Sequence, residues 1–143
     1  MKNKYTLGVF CVSLIMILAA CRSQSASMRT QEVRITLLDS KVVSSAMTFS
    51  PAIPCHFIVI NHAKIPQIFT IMSSAMKTMA MSGMSMSDFD KMALISIDHL
   101  NPGETKVFDY TFPSSEAGSE PEFVSYPQGN DKAELKLDVR VRK

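Results

Sequence analysis

The sequence has no tryptophan, only five glycines and seven prolines in 143 residues, and almost no surplus of charge, with 15 Lys and Arg against 13 Asp and Glu. So few glycines and prolines, beside 46 % hydrophobic residues, exclude a low-complexity or disordered chain. A net charge of +2 argues against a nucleic-acid binder, which normally shows a concentrated basic face. The length allows one domain. Catalytic constellations are missing as well. No Ser-His-Asp arrangement, paired-carboxylate motif or phosphate-cradling glycine loop can be assembled, so no enzymatic activity is expected. What is abundant is methionine, with 11 copies.

The first segment reads as an address. Lys2 and Lys4 precede an apolar run over residues 6–20, which ends in small residues and is too short for a membrane span. The sequence Leu18-Ala19-Ala20-Cys21 resembles a bacterial lipobox. That resemblance implies a signal peptide over residues 1–20, a diacylglycerol on Cys21 and attachment to a membrane, since two or more acyl chains anchor stably. Arg22 after the cysteine implies the outer membrane, facing the periplasm, in a Gram-negative cell. Without residues 1–20 the chain keeps 123 residues, and 13 basic residues face 13 acidic ones. Cys11 leaves with the signal and Cys21 is lipidated, so Cys55 has no partner for an intramolecular disulfide. The core must come from packing alone.

Residues 21–32 are polar and aperiodic after the cysteine, and read as a flexible tether. Strand signals follow over residues 33–38, 55–61, 67–72, 93–100 and 105–112, with Asn101-Pro102-Gly103-Glu104 as a strong turn. At the end, Leu135, Leu137, Val139 and Val141 alternate with Lys136, Asp138, Arg140 and Arg142, which predicts one half-buried strand. Short strands spaced by turns predict an all-β sandwich. Residues 72–92 break the pattern and predict an insertion, partly helical and partly loop, with Ser87 as a helix cap.

The order of these cues resembles a cupredoxin, the Greek-key β-sandwich of blue-copper proteins, over residues 33–143. The cues are Phe57-Ile58-Val59-Ile60-Asn61, Pro66-Gln67-Ile68-Phe69-Thr70-Ile71-Met72, Asn101-Pro102-Gly103-Glu104-Thr105 and Phe123-Val124-Ser125-Tyr126-Pro127-Gln128-Gly129-Asn130. The resemblance implies a trigonal His₂Cys copper site with a weak axial methionine. Placed without gaps, this chain departs at every ligand. Gln67 and Asn130 replace the histidines, Ser125 the cysteine and Leu135 the methionine. A hydroxyl supplies no thiolate and neutral amides are poor copper ligands, so no type 1 copper is expected. The four side chains can instead fill the space as a hydrogen-bonded plug.

His56, His62 and His99 form no His-x-His or His-x₃-His pair. They read as one sheet residue and two polar rim residues. Cys55 reads as a buried apolar side chain. As strand neighbours, Cys55 and His56 point to opposite faces and cannot act as a nucleophilic pair.

Seven methionines crowd into residues 72–92, among them Met76, Met79, Met81, Met84 and Met86. Thioether sulfur is soft and neutral, so convergent methionines select Cu(I). This predicts a Cu(I) site for copper handling or tolerance, with a copper-handling protein as a partner. Packing is the competing reading. Met72, Met76 and Met79 have the i, i+4, i+7 spacing of a helical stripe covering the sheet, and Met72 and Met92 read as core. On that reading the chain is a metal-free interaction module whose Met-rich flap packs on the sheet or binds a partner.

Overall fold

A computed structural model describes residues 29–74, 93–130 and 133–143. Ten strands account for most of them: β1 Gln31–Leu37, β2 Val42–Ser44, β3 Thr48–Phe49, β4 Pro54–Asn61, β5 Gln67–Met72, β6 Ala93–Leu100, β7 Thr105–Thr111, β8 Glu122–Pro127, β9 Leu135–Asp138 and β10 Arg140–Val141. They form a sheet β2-β1-β4-β7, a sheet β6-β5-β8-β9 and a small pair β10-β3. The chain changes sheet between β4 and β5, between β6 and β7, and between β7 and β8, so sequential hairpins alone do not build it. β1 and β4 run parallel, while the other pairings within the two main sheets are antiparallel.

Alternation explains why these segments are strands. In β4, Cys55, Phe57, Val59 and Asn61 are buried, and the residues between them are half-buried. In β1, Val33, Ile35 and Leu37 point the same way. The core between the sheets is built on phenylalanine. Phe123 of β8 meets Phe49, Phe57 and Phe69 at ring-centroid distances of 5.8, 6.0 and 5.8 Å. Such tilted and edge-on contacts add to area burial. With no tryptophan in the chain, these rings supply the aromatic volume.

Both faces of β5 and β8 are buried. Phe69, Ile71 and Phe123 face the main core, whereas Met72, Val124 and Tyr126 form a second apolar cluster on the opposite face. Met72 is therefore a core residue, as its sequence context predicts.

The structure corrects two boundaries. β1 starts at Gln31, because Gln31 and Glu32 take their places opposite Cys55 and His56, so the first strand begins two residues earlier than expected. The single C-terminal strand is two strands. β9 pairs with β8, then Val139 donates its N–H to the Pro121 carbonyl and β10 pairs with β3. The alternation survives the change of partner, with Val139 and Val141 both buried.

The signal peptide, Cys21, the helical insertion, Met92 and the methionines Met76, Met79, Met81, Met84 and Met86 lie outside the described residues. Among the described residues there is no α-helix, and Ser114–Glu116 form a 3-10 turn.

Candidate functional site

The strand directions give the sandwich two ends. β5 begins at Gln67, which pairs with Leu100 at the end of β6 and Pro127 at the end of β8. Here the connections β4–β5, β6–β7 and β8–β9 come together. The opposite end holds the start of β1, the end of β5 at Met72 and the start of β6 at Ala93.

Gln67 and Ser125 meet at the first end. The Ser125 hydroxyl donates to Gln67 Oε1 at 3.0 Å. Gln67 is 3 % exposed and Ser125 fully buried, so each polar group needs this partner. Leu135 sits directly opposite Ser125 across the β8–β9 pair and packs against the main core. Three of the four positions picked from the sequence are thus neighbours: a hydroxyl, an amide and an alkyl side chain. Asn130 differs from the buried Gln67 and Ser125. It is exposed, and its backbone N–H donates to the Pro127 carbonyl at 3.0 Å in the turn that opens the β8–β9 connection. The bonded pair can hold the strands in register, but it offers no thiolate and no imidazole to a metal.

Asn61 is the residue at this end whose role the sequence does not announce. Its side chain is fully buried at the end of β4. Its Nδ2 donates to the carbonyls of Ile65 and Leu100 at 3.0 and 2.8 Å, and its Oδ1 accepts from the Ala63 N–H at 2.8 Å. Its backbone joins the Asn-Pro-Gly-Glu turn, accepting from the Gly103 N–H at 2.7 Å and donating to the Glu104 carbonyl at 3.0 Å. Gly103 has φ +77°, a conformation glycine adopts without strain. One asparagine thus fixes both the β4–β5 and β6–β7 connections beside Gln67. An asparagine closing an apolar run is the only signal, and it is a weak one.

The rim of this end is polar. The His99 ring lies between Gln128 Oε1 at 2.7 Å and Asn101 Oδ1 at 2.9 Å, linking the β6–β7 and β8–β9 connections. Glu104 accepts from the Asn101 N–H at 2.9 Å and lies 2.8 Å from the Lys106 ammonium. The Lys106 hydrogen bond, followed by the Asn101 N–H, lowers the Glu104 carboxyl from 4.5 to about 2. His62 is exposed, which fits a rim residue. His56 is a sheet residue in β4.

Cys55 is buried and free. Burial pushes its thiol pKa up, the reverse of what a nucleophile needs. Among the described residues, no three His, Cys, Asp or Glu side chains are gathered as a metal group.

The methionine-rich stretch leaves β5 at Met72 and returns to β6 at Ala93. These two residues are register partners at the end opposite Gln67. Gln67 and Met72 are the two ends of one six-residue strand, about 17 Å apart at about 3.3 Å per residue.

No protein-family model matches this chain, and no curated sequence matches it. Among solved structures, it is similar to Na-dithionite-reduced auracyanin from the photosynthetic bacterium Roseiflexus castenholzii. That match has a TM-score of 0.52 at 13 % identity and covers 80 % of this chain and 98 % of the other. At that identity the likeness speaks for the fold alone, and the fold is cupredoxin-like.

Proposed function

We propose that this protein is a lipid-anchored, extracytoplasmic copper-handling protein that binds Cu(I) through its methionines and has no blue-copper centre. It is not an enzyme. The reading starts from the fold, which is that of a copper-protein family. The observation that supports it is the hydrogen bond between Ser125 and Gln67, the two positions at which the cupredoxin resemblance expects a thiolate and an imidazole. Copper chemistry on this scaffold then needs other ligands, and Met76, Met79, Met81, Met84 and Met86 supply soft, neutral sulfur in close succession. Thioethers stay unprotonated at any cellular pH and do not form disulfides. That suits capture of Cu(I) in the cell envelope, at an outer membrane that holds Cys21, and transfer to a copper-handling partner.

A second reading draws on Met72. It is buried with Val124 and Tyr126 in an apolar cluster on the outer side of the second sheet, so methionine already serves packing at the edge of the segment. On this reading the protein is a metal-free interaction module whose Met-rich flap serves packing or a partner.

Titration of the intact protein with Cu(I) against a competing chelator separates the two. The copper reading expects chelator-resistant Cu(I) and a large loss of affinity when Met79, Met81, Met84 and Met86 are changed to Leu. Unchanged affinity in that variant supports packing. With Cu(II), neither reading expects an intense thiolate-to-copper band in the visible, and a blue adduct overturns the assignment of Ser125 and Gln67.

A further inference from the structure

The outer face of the first sheet carries a row of three side chains: Glu32 of β1, His56 of β4 and Asp109 of β7. His56 is the register partner of both others. Partners directly opposite in adjacent strands share a face, with Cβ atoms about 4.5–5.5 Å apart. The row is open to solvent, the side chains being 65 %, 41 % and 75 % exposed in that order.

Asp109 sets the state of the imidazole. His56 Nδ1 lies 2.7 Å from Asp109 Oδ1. An ionised carboxylate only accepts, so Nδ1 carries the proton and donates it into this bond. In the neutral ring the lone pair is then on Nε2, which makes no hydrogen bond to a described residue. Metal-binding histidines are held in this way, with one ring N–H on a carboxylate and the other nitrogen free.

Glu32 offers an oxygen on the other flank. Its carboxylate lies 3.8 Å from Arg34, an exposed ion pair of a kind that contributes little to stability. One imidazole nitrogen and one carboxylate oxygen suit a borderline divalent cation, Zn²⁺ or Cu²⁺, rather than Cu(I), Mg²⁺ or Ca²⁺. Water completes the coordination.

We propose that His56 Nε2 and Glu32 bind one Zn²⁺ or Cu²⁺ ion on the outer face of the first sheet, with Asp109 as the positioning residue. The proposal rests on no part of the methionine reading.

Zinc is the direct probe, because thioether sulfur does not compete for it. The intact protein is titrated with Zn²⁺ by calorimetry, and the histidine ring resonances are followed by NMR. The site predicts one Zn²⁺ per chain and a shift of the His56 ring. Binding disappears in His56→Ala and weakens about tenfold or more in Asp109→Asn. It weakens in Glu32→Gln and strengthens in Arg34→Gln, which frees Glu32, while His62→Ala and His99→Ala bind as the parent does. No binding, equal binding by His56→Ala, or equal loss in His62→Ala overturns the site. Unchanged affinity in Asp109→Asn overturns the positioning role, and an unchanged His56 shift on Cu(I) loading alone keeps the two metal readings separate.

Discussion

Cys55, Asn61 and Glu104 show how differently one side chain can be constrained in the same small domain. Cys55 is sealed in the core with its thiol pKa raised by burial, so the reactive thiolate is scarce and inaccessible. Mass spectrometry after iodoacetamide treatment is expected to find Cys55 unmodified in the native protein and modified once the protein is unfolded. Asn61 satisfies two carbonyls and one N–H at once. Asn61→Ala leaves buried groups unpaired at about 1–3 kcal/mol each, so denaturant unfolding should show a loss of at least about 2 kcal/mol. Glu104 sits on the surface and answers to pH. Its folded-state pKa of about 2 lies below the ordinary 4.5, so its stabilising contribution is present above about pH 4.5 and is lost as pH falls toward about 2. NMR titration should place its midpoint near the lower value, and Glu104→Gln should flatten the acid limb of the stability profile. Among these, the burial of Cys55 is legible in its apolar strand. The work of Asn61 is not, because its acceptors lie on Ile65 and Leu100 and are brought to it only by the tertiary fold.

Strands were legible in proportion to their length and their alternation. β5 and β6 fall on residues 67–72 and 93–100, where flanking proline or turn residues bound an apolar stretch. β2 and β3 have three and two residues, too few to show a period; β2 pairs with its neighbour β1, and β3 depends on the distant β10. The break between β9 and β10 is invisible in sequence for another reason. The apolar face is continuous through Val139, and only the hydrogen-bond partner changes. What joins the two sheets energetically is the phenylalanine cluster around Phe123. Phe123→Ala removes a fully buried ring and leaves a cavity, so urea unfolding is expected to show a loss of about 3–5 kcal/mol. Replacement by Leu should cost clearly less, because it keeps most of the apolar volume.

At the scale of the whole molecule, the second sheet separates two features that the sequence presents side by side. The bonded Gln67–Ser125 pair lies toward one end, and the methionine-rich stretch is rooted at the other, on Met72 and Ala93. The cupredoxin-like frame was legible through the order of its turns and strands, whereas the exposure of Asn130, in contrast to the burial of Gln67 and Ser125, required the structure. On the proposed reading, the copper-ligand positions of such a scaffold are given to a hydroxyl, an amide and a leucine, and sulfur-only chemistry falls to the methionines. X-ray absorption at the copper edge of the intact, Cu(I)-loaded protein tests that claim most directly. The account predicts Cu(I) surrounded by sulfur scatterers alone, with that shell lost when Met79, Met81, Met84 and Met86 are changed to Leu. Copper held by imidazole nitrogen, or no copper retained at all, would contradict it.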